Sequence, residues 1–275
     1  MRLVSAELSK IFTTATWWIF GLILIPLWAM SILFNWGTAN VTNQIPADAN
    51  VDPDSAALLD ATNQPINVAT NLYTSGQFFG VLLILLLSAI LVTNEFFHLT
   101  ATTTFLVTPH RERVVLAKLA AAGLLSLGFW LITTVLNLAL APFFLRQLDL
   151  PVQLGEGAVW RAIGLNALAF ALWAVVGVGV GVLIRSQIAT TLTLSIGYLI
   201  GPLGAQAVFF LLTQYVADFF EKLRVIEPTT ASQLMISGTD LPGNPPRWVG
   251  AVVLIGYAVV TGVIGTLIMR RRDVS

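Results

Sequence analysis

Residues 77–97 read QFFGVLLILLLSAILVTNEFF, a run without Lys, Arg, Asp or His whose only acid, Glu95, stands near its end. A helix needs roughly 20 apolar residues to cross a bilayer, so this stretch is a membrane span by length and composition. The segment from Asn94 to Lys118 then turns polar, holding three of the chain's fourteen basic residues and both of its histidines. Pro109 interrupts it just before Arg111, Glu112 and Arg113, and the next apolar run begins near Val115. A polar segment between two spans is either a connector or a docking surface for something in the cytoplasm, and its own residues leave both open.

The rest of the chain has the same character. Hydrophobic residues make up 56% of its 275 positions and charged residues 10%, against about 25% charged in a soluble domain. The chain is therefore an integral membrane protein, all-α, forming a single transmembrane domain over 1–275. Six runs are long enough to cross: 17–36, 77–97, 115–145, 161–184, 188–214 and 248–269. Pro26, Pro142 and Pro202 fall in or near them and predict kinks, which membranes tolerate where neighbours satisfy the freed carbonyls.

Charge placement orients the bundle. With the N-terminus inside, nine of the fourteen basic residues lie on the inner side, among them Lys10, Arg113, Lys118, Arg185 and the triple Arg270 to Arg272. The first outer loop, 37–76, carries Asp48, Asp52, Asp54 and Asp60 with no Lys or Arg. The positive-inside rule places both termini in the cytoplasm of a multi-pass cell-membrane protein.

Residues 1–16 form an amphipathic helix for the membrane interface, with Leu3, Val4, Leu8, Ile11, Phe12 and Ala15 on one side and Glu7 intruding among them. No signal-peptide pattern is expected there, because Glu7 and Lys10 interrupt the first dozen residues. Gly177 and Gly181, with Gly179 between them, and then Gly197 and Gly201 form small-residue seams that let helices approach, within the bundle or across a dimer. Between the last two spans, 215–247 is too polar to cross. Phe219, Phe220, Leu223 and Ile226 share a helical face there, Pro228 stops that helix, and Thr229 or Thr230 is placed to cap a second one running to about Ser237. Two short outer helices, interfacial or re-entrant, are expected.

Chemistry is sparse. The three Lys residues follow no Gly, so there is no phosphate-binding loop, and the two His residues stand twelve apart without a ligand cluster. Without Cys there is no disulfide framework. The chain is expected to be no enzyme, to hold no cofactor or metal, and to bind no nucleic acid. Its spans have almost no ionisable residue beyond Glu95, with Asn137, Asn166, Gln206 and Gln214 as the uncharged polar exceptions, which argues against ion-driven transport.

Together these features resemble the membrane subunit (permease) of an ABC transporter of the type-2 exporter family. The matching parts are the amphipathic N-terminal helix, six spans, the acidic residue Glu95, the Thr-containing loop with its Pro-x-Arg cluster, Lys118 opening the third span, the outer two-helix element, and the terminal Arg-Arg-Arg-Asp-Val. The usual Gly after the loop's acidic residue is absent, with Ala101-Thr102 in that region. The resemblance implies a dimer of two permease chains, identical or related, driven by a separate cytoplasmic ABC ATPase that binds the ATP. The loop 98–114 would then seat a coupling helix in that ATPase, with Phe105 and Leu106 as its apolar plug, Pro109, Arg111, Glu112 and Arg113 at its rim, and Glu95 as the hinge between span and loop. The path between the two chains would be lined by Phe78, Phe79, Leu83, Leu86, Thr191, Ser195 and Tyr198, suiting a hydrophobic or amphipathic substrate. Two other classes stay in play: a membrane scaffold or sensor-associated protein that transports nothing, and an ion-coupled secondary transporter.

The orientation is directly testable. Single Cys residues at Asp54 and Arg271 are expected to react with an impermeant thiol reagent from outside and from inside, respectively. Labelling of position 271 in intact cells reverses the assignment.

Overall fold

The computed structural model describes residues 2–44, 53–98, 111–217 and 219–271. Helix α1 (Arg2–Phe12) is followed by α2 (Thr16–Asn43), α3 (Pro53–Asn63), α4 (Pro65–Tyr73) and α5 (Gln77–Phe97). Then come α6 (Arg111–Gln147), α7 (Gly157–Ile184), α8 (Gln187–Leu199), α9 (Gly201–Tyr215), the short α10 (Phe219–Lys222) with a 3-10 turn, α11 (Pro228–Ile236) and α12 (Arg247–Arg271). No strand occurs among the described residues, and the fold is all-α. Five stretches cross by length and hydropathy, α2, α4–α5, α6, α7 and α12, and the bent pair α8–α9 makes a sixth. The chain is a multi-pass membrane protein.

Helices α5 and α7 form the centre. Leu82 to Leu85 and Leu87 of α5 are buried with Ala169, Phe170, Trp173 and Ala174 of α7. Glycine permits the contact: a Cβ on Gly177 would collide with the Leu85 carbonyl oxygen, and one on Gly181 would come within 3.0 Å of the Ala89 oxygen. Gly179 serves the other side of α7, where a Cβ would lie 2.6 Å from the Thr261 oxygen of α12. This first glycine seam is thus used inside the chain. The second is not, since an added Cβ on Gly197 or Gly201 meets nothing within 4 Å.

Two expectations need correction. The stretch 37–76 is largely helical among its described residues: α2 runs to Asn43, and α3 and α4 follow. Asn63 of α3 donates to the Thr42 carbonyl, one of the orphan acceptors at the end of α2 (3.2 Å). α4 is no surface element either, for Val68, Ala69, Leu72 and Tyr73 are buried in a second core with Leu145, Val159 and Ile163. The cap of α11 is likewise neither threonine. Glu227 sits at the N-cap and accepts from the backbone N–H groups of Thr229 (2.9 Å) and Thr230 (2.6 Å), with Pro228 in the first turn, where its missing donor costs nothing.

Backbone breaks at membrane depth are each provided for. Between α4 and α5 the chain turns at Gly76, whose φ of +84° and Trp28 neighbour, 2.7 Å from where a Cβ would stand, both require glycine. The carbonyls freed at Tyr73 and Ser75 accept from the Asn137 side-chain amide at 3.0 and 2.9 Å, and Trp28 Nε1 donates to Asn137 Oδ1 at 2.7 Å. Asn137 is fully buried and uses its whole amide in this stitch. The sixth crossing bends by 45° between α8 and α9. The cause is Pro202 in the first turn of α9, since a proline lacks the N–H that a continuous helix would donate.

Replacing Asn137 by Val strands two carbonyls and an indole N–H in an apolar interior, a cost of about 1–3 kcal/mol for each unsatisfied group. Thermal unfolding in mild detergent is expected to show a markedly lowered midpoint for Asn137→Val. Thr213→Val, which removes only a local bond to Phe209 O, is expected to leave the midpoint unchanged.

Candidate functional site

The loop singled out by sequence starts from the end of α5 and ends at the start of α6, and these two roots are held by one cluster. Lys118 Nζ lies 2.7 Å from Glu7 Oε2 and 3.0 Å from Glu95 Oε1, and it donates to the Leu91 carbonyl at 3.3 Å. Lys10 Nζ lies 2.6 Å from both Glu7 Oε1 and Glu95 Oε1. Two carboxylates and two ammonium groups therefore alternate around a neutral ring joining α1, α5 and α6. The side chains of Lys118, Glu7 and Glu95 are 1%, 6% and 8% exposed, while Lys10 at 44% opens the ring to solvent.

Local sequence explains each position. α1 docks through Val4, Glu7, Leu8 and Ile11, the i, i+3, i+4, i+7 stripe of an amphipathic helix. Glu7, an intruder on that face by sequence, is part of the docking stripe because Lys118 waits opposite. Glu95 comes from the last turn of α5, and Lys118 stands two turns into α6. Burial alone would lower the pKa of Lys10, but hydrogen bonds and charge from Glu7 and Glu95 outweigh it and raise the value above the usual 10.5. A raised lysine contributes its full stabilisation below 10.5 and loses it only as pH climbs through the folded value. Lys10 is thus charged throughout the neutral range.

The surroundings are open and of mixed polarity. A cavity of about 210 Å³ lies between α1 and α5, lined by Lys10, Thr14, Asn94, Glu95 and His98 among others. Arg185, in a left-handed conformation at the end of α7, places its guanidinium 5.4 Å from the centre of the Phe96 ring. The end of α7 thus sets a cation against the residue that follows Glu95.

The sequence-predicted residues divide in three. Phe105, Leu106 and Pro109 lie outside the described residues, as does the Arg111 side chain. Glu112 and Arg113 are exposed in the first turn of α6. Glu95 is in the ring itself, beside Lys118. Of the expected path residues, the fold brings three together: the Phe78 ring is 5.1 Å from Phe79 and 5.0 Å from Tyr198, whose hydroxyl donates to the Phe78 carbonyl at 2.8 Å. Leu83 is buried and Leu86 half-buried in the core around α5, and Thr191 and Ser195 are half-buried on α8, where Thr191 donates back to Gln187 O at 2.9 Å. No group of His, Asp and Glu able to hold a metal occurs among the described residues. Compared with known proteins, the chain matches no family model and no curated sequence.

The roles of Glu7 and Lys10 in a shared ring were missed by sequence reasoning. The signal available was an acid on an apolar helix face and a lysine at the root of a span, each needing an opposite charge. Removing one member of a buried pair leaves the other uncompensated, at a cost of roughly 3–5 kcal/mol. Lys118→Met is therefore expected to lower the thermal midpoint strongly and to expose α1 to protease. Adding Glu7→Gln restores charge balance, so the double variant is expected to be more stable than Lys118→Met alone. A double variant as unstable as the sum of the singles refutes the shared ring.

Proposed function

We propose that this chain is the membrane subunit of an ATP-powered exporter of the type-2 ABC class. It works as one of two permease chains and is driven by a separate cytoplasmic ATPase. The observation that carries the proposal is the ring of Glu7, Lys10, Glu95 and Lys118, which ties an amphipathic interfacial helix to both roots of the 98–114 loop. A loop that transmits force from a soluble motor needs rigid roots, and a buried, charge-balanced ring is stiff because each carboxylate is shared by two cations. In this assignment the loop is cytoplasmic, and both termini are with it.

The apolar surface of the sixth crossing supports the paired assembly. α9 has no buried residue, and Leu203, Val208, Phe210 and Leu211 are all more than half exposed. That face is free for lipid or for a second chain, and its uncovered glycines permit close approach. The cargo is hydrophobic or amphipathic, in keeping with the aromatic cluster of Phe78, Phe79 and Tyr198. In this proposal the ATP is bound by the separate ATPase chain.

Purification of the protein from its native membrane in mild detergent is the direct test. An ATPase subunit is expected to come with it, and ATP hydrolysis and export are expected to depend on both chains. Phe105→Ala with Leu106→Ala is expected to uncouple hydrolysis from export while insertion stays normal. Arg111→Glu is expected to weaken association more at low salt than at physiological salt, where screening acts over about 8 Å. Parental export by the Phe105/Leu106 variant at equal expression rejects the proposal.

A further inference from the structure

The end of α5 remote from the ring borders a much larger cavity. Gln77 opens α5 and Glu95 nearly closes it, so the two lie roughly 27 Å apart along the helix axis. The cavity there has a volume of about 660 Å³ and is walled by α2, α4, the start of α5 and α11 with the loop that follows it. Its size falls within the range of about 300–1,000 Å³ usual for small-molecule sites.

The walls are fixed by side chains that bridge elements. Asn35 of α2 donates to Ser75 Oγ at 2.9 Å, and Gln77 Nε2 donates to Ser232 Oγ of α11 at 3.1 Å. Asn67 donates to Ala61 O (2.6 Å) and Thr239 Oγ1 (2.7 Å) and accepts from Thr239 N (2.9 Å), closing the side toward the loop. Gln77 is only 7% exposed and lines the cavity, yet its Oε1 accepts no hydrogen bond from the described residues. Asn71 and Gln233, also in the lining, are exposed and leave their amides unused. Three amide side chains therefore offer unsatisfied donors and acceptors in one cavity. The lining also holds Met30, 50% exposed, and Phe34, 72% exposed, on a helix that spans the membrane, together with Phe79.

No described residue of the lining can carry a charge. The guanidiniums of Arg161 and Arg247 donate to the carbonyl of Gly238, a lining residue, at 2.9 and 2.7 Å, but no charged side chain is itself in the described lining. An ion entering would therefore shed hydration without a direct counter-charge, a large cost in a mostly apolar site. A neutral molecule with hydroxyl or amide groups at one end and a hydrocarbon chain at the other matches both the amides and the apolar side chains of this lining. We infer that this cavity is a binding site for a neutral, membrane-partitioned amphiphile, its polar head held by Gln77, Asn71 and Gln233 and its chain lying along Met30, Phe34 and Phe79. The site belongs to one chain and stands whether or not that chain pairs with an ATPase.

The test uses the full chain in lipid nanodiscs and a photoactivatable monoacylglycerol bearing a diazirine on its acyl chain. Crosslinks are expected to concentrate in peptides covering 30–35, 71–79 and 233–241. Unlabelled monooleoylglycerol is expected to displace the probe at concentrations at least ten-fold below those needed for oleate or oleylamine, which share the chain but carry charge. Asn71→Leu with Gln233→Leu, two exposed positions whose side-chain amides make no bond within the described residues, is expected to cut specific labelling at least five-fold with an unchanged thermal midpoint. Labelling spread evenly over the lipid-facing helices overturns the inference, as does equal displacement by the charged competitors or full labelling of the double variant. ATPase binding and export are not read in this assay, so its failure leaves the exporter proposal intact and the reverse also holds.

Discussion

Two buried carboxylates and two ammonium groups cannot sit at the edge of a membrane unless they neutralise one another. Ions moved out of water lose several kcal/mol each, and only close opposite charges with further hydrogen bonds return it. The ring meets this condition: Lys118 has three oxygen neighbours for its three donors, and each carboxylate faces two cations. Because the four residues come from α1, α5 and α6, neutrality is reached only when all three helices are in place. The electrostatic requirement thus sets the position of α1, the spacing of α5 and α6 at this face, and the anchorage of the loop between them. Apolar contacts of Val4, Leu8 and Ile11 add area, but they would tolerate sliding. The charges do not.

A second constraint acts on the backbone. In a bilayer every N–H and C=O must find a partner within the protein, and among the described residues the helices break twice inside the apolar zone. At the α4–α5 turn the answer is a side chain, Asn137, borrowed from α6 and steadied by Trp28. At the α8–α9 bend the answer is proline at a helix start, where no donor is needed. The first break is buried and fixed; the second lies on an exposed, sparsely packed arm. That contrast separates a rigid centre, α5 with α7 and α12, from a peripheral sixth crossing.

Much of this was legible in the residues. Spans are announced by uninterrupted apolar length, so their number and rough positions follow from the sequence, and Pro202 marks the bend. α3 and α4 were less visible, because a stretch with Asp54, Asp60 and several amides has the composition of a surface loop. α4 is buried through contacts with residues more than sixty positions away, such as Leu145 and Val159, and no local periodicity encodes those. The cap of α11 was assigned to threonine because Ser and Thr are commoner there, whereas Glu227 one residue before Pro228 does the work with both oxygens. For the ring, sequence showed each charge as an anomaly on its own helix. Their pairing spans 85 and 111 positions, and nothing in a single sequence matches distant anomalies to one another. Phe105 and Leu106, expected from sequence to form an apolar plug, lie outside the described residues.

The separation of Glu7 from Lys118 also has a meaning in time. A chain grows from its N-terminus at about 5–20 residues per second, so the 111 positions between the two correspond to roughly 6–20 s of synthesis. Through that interval Glu7 has Lys10 beside it in its own helix but not the cation that lets it be buried. α1 must wait at the membrane surface while the first two crossings insert, and it can settle only when the root of the third has emerged. Helix α1, made before α5 and α6, is among the last of these elements to reach its place.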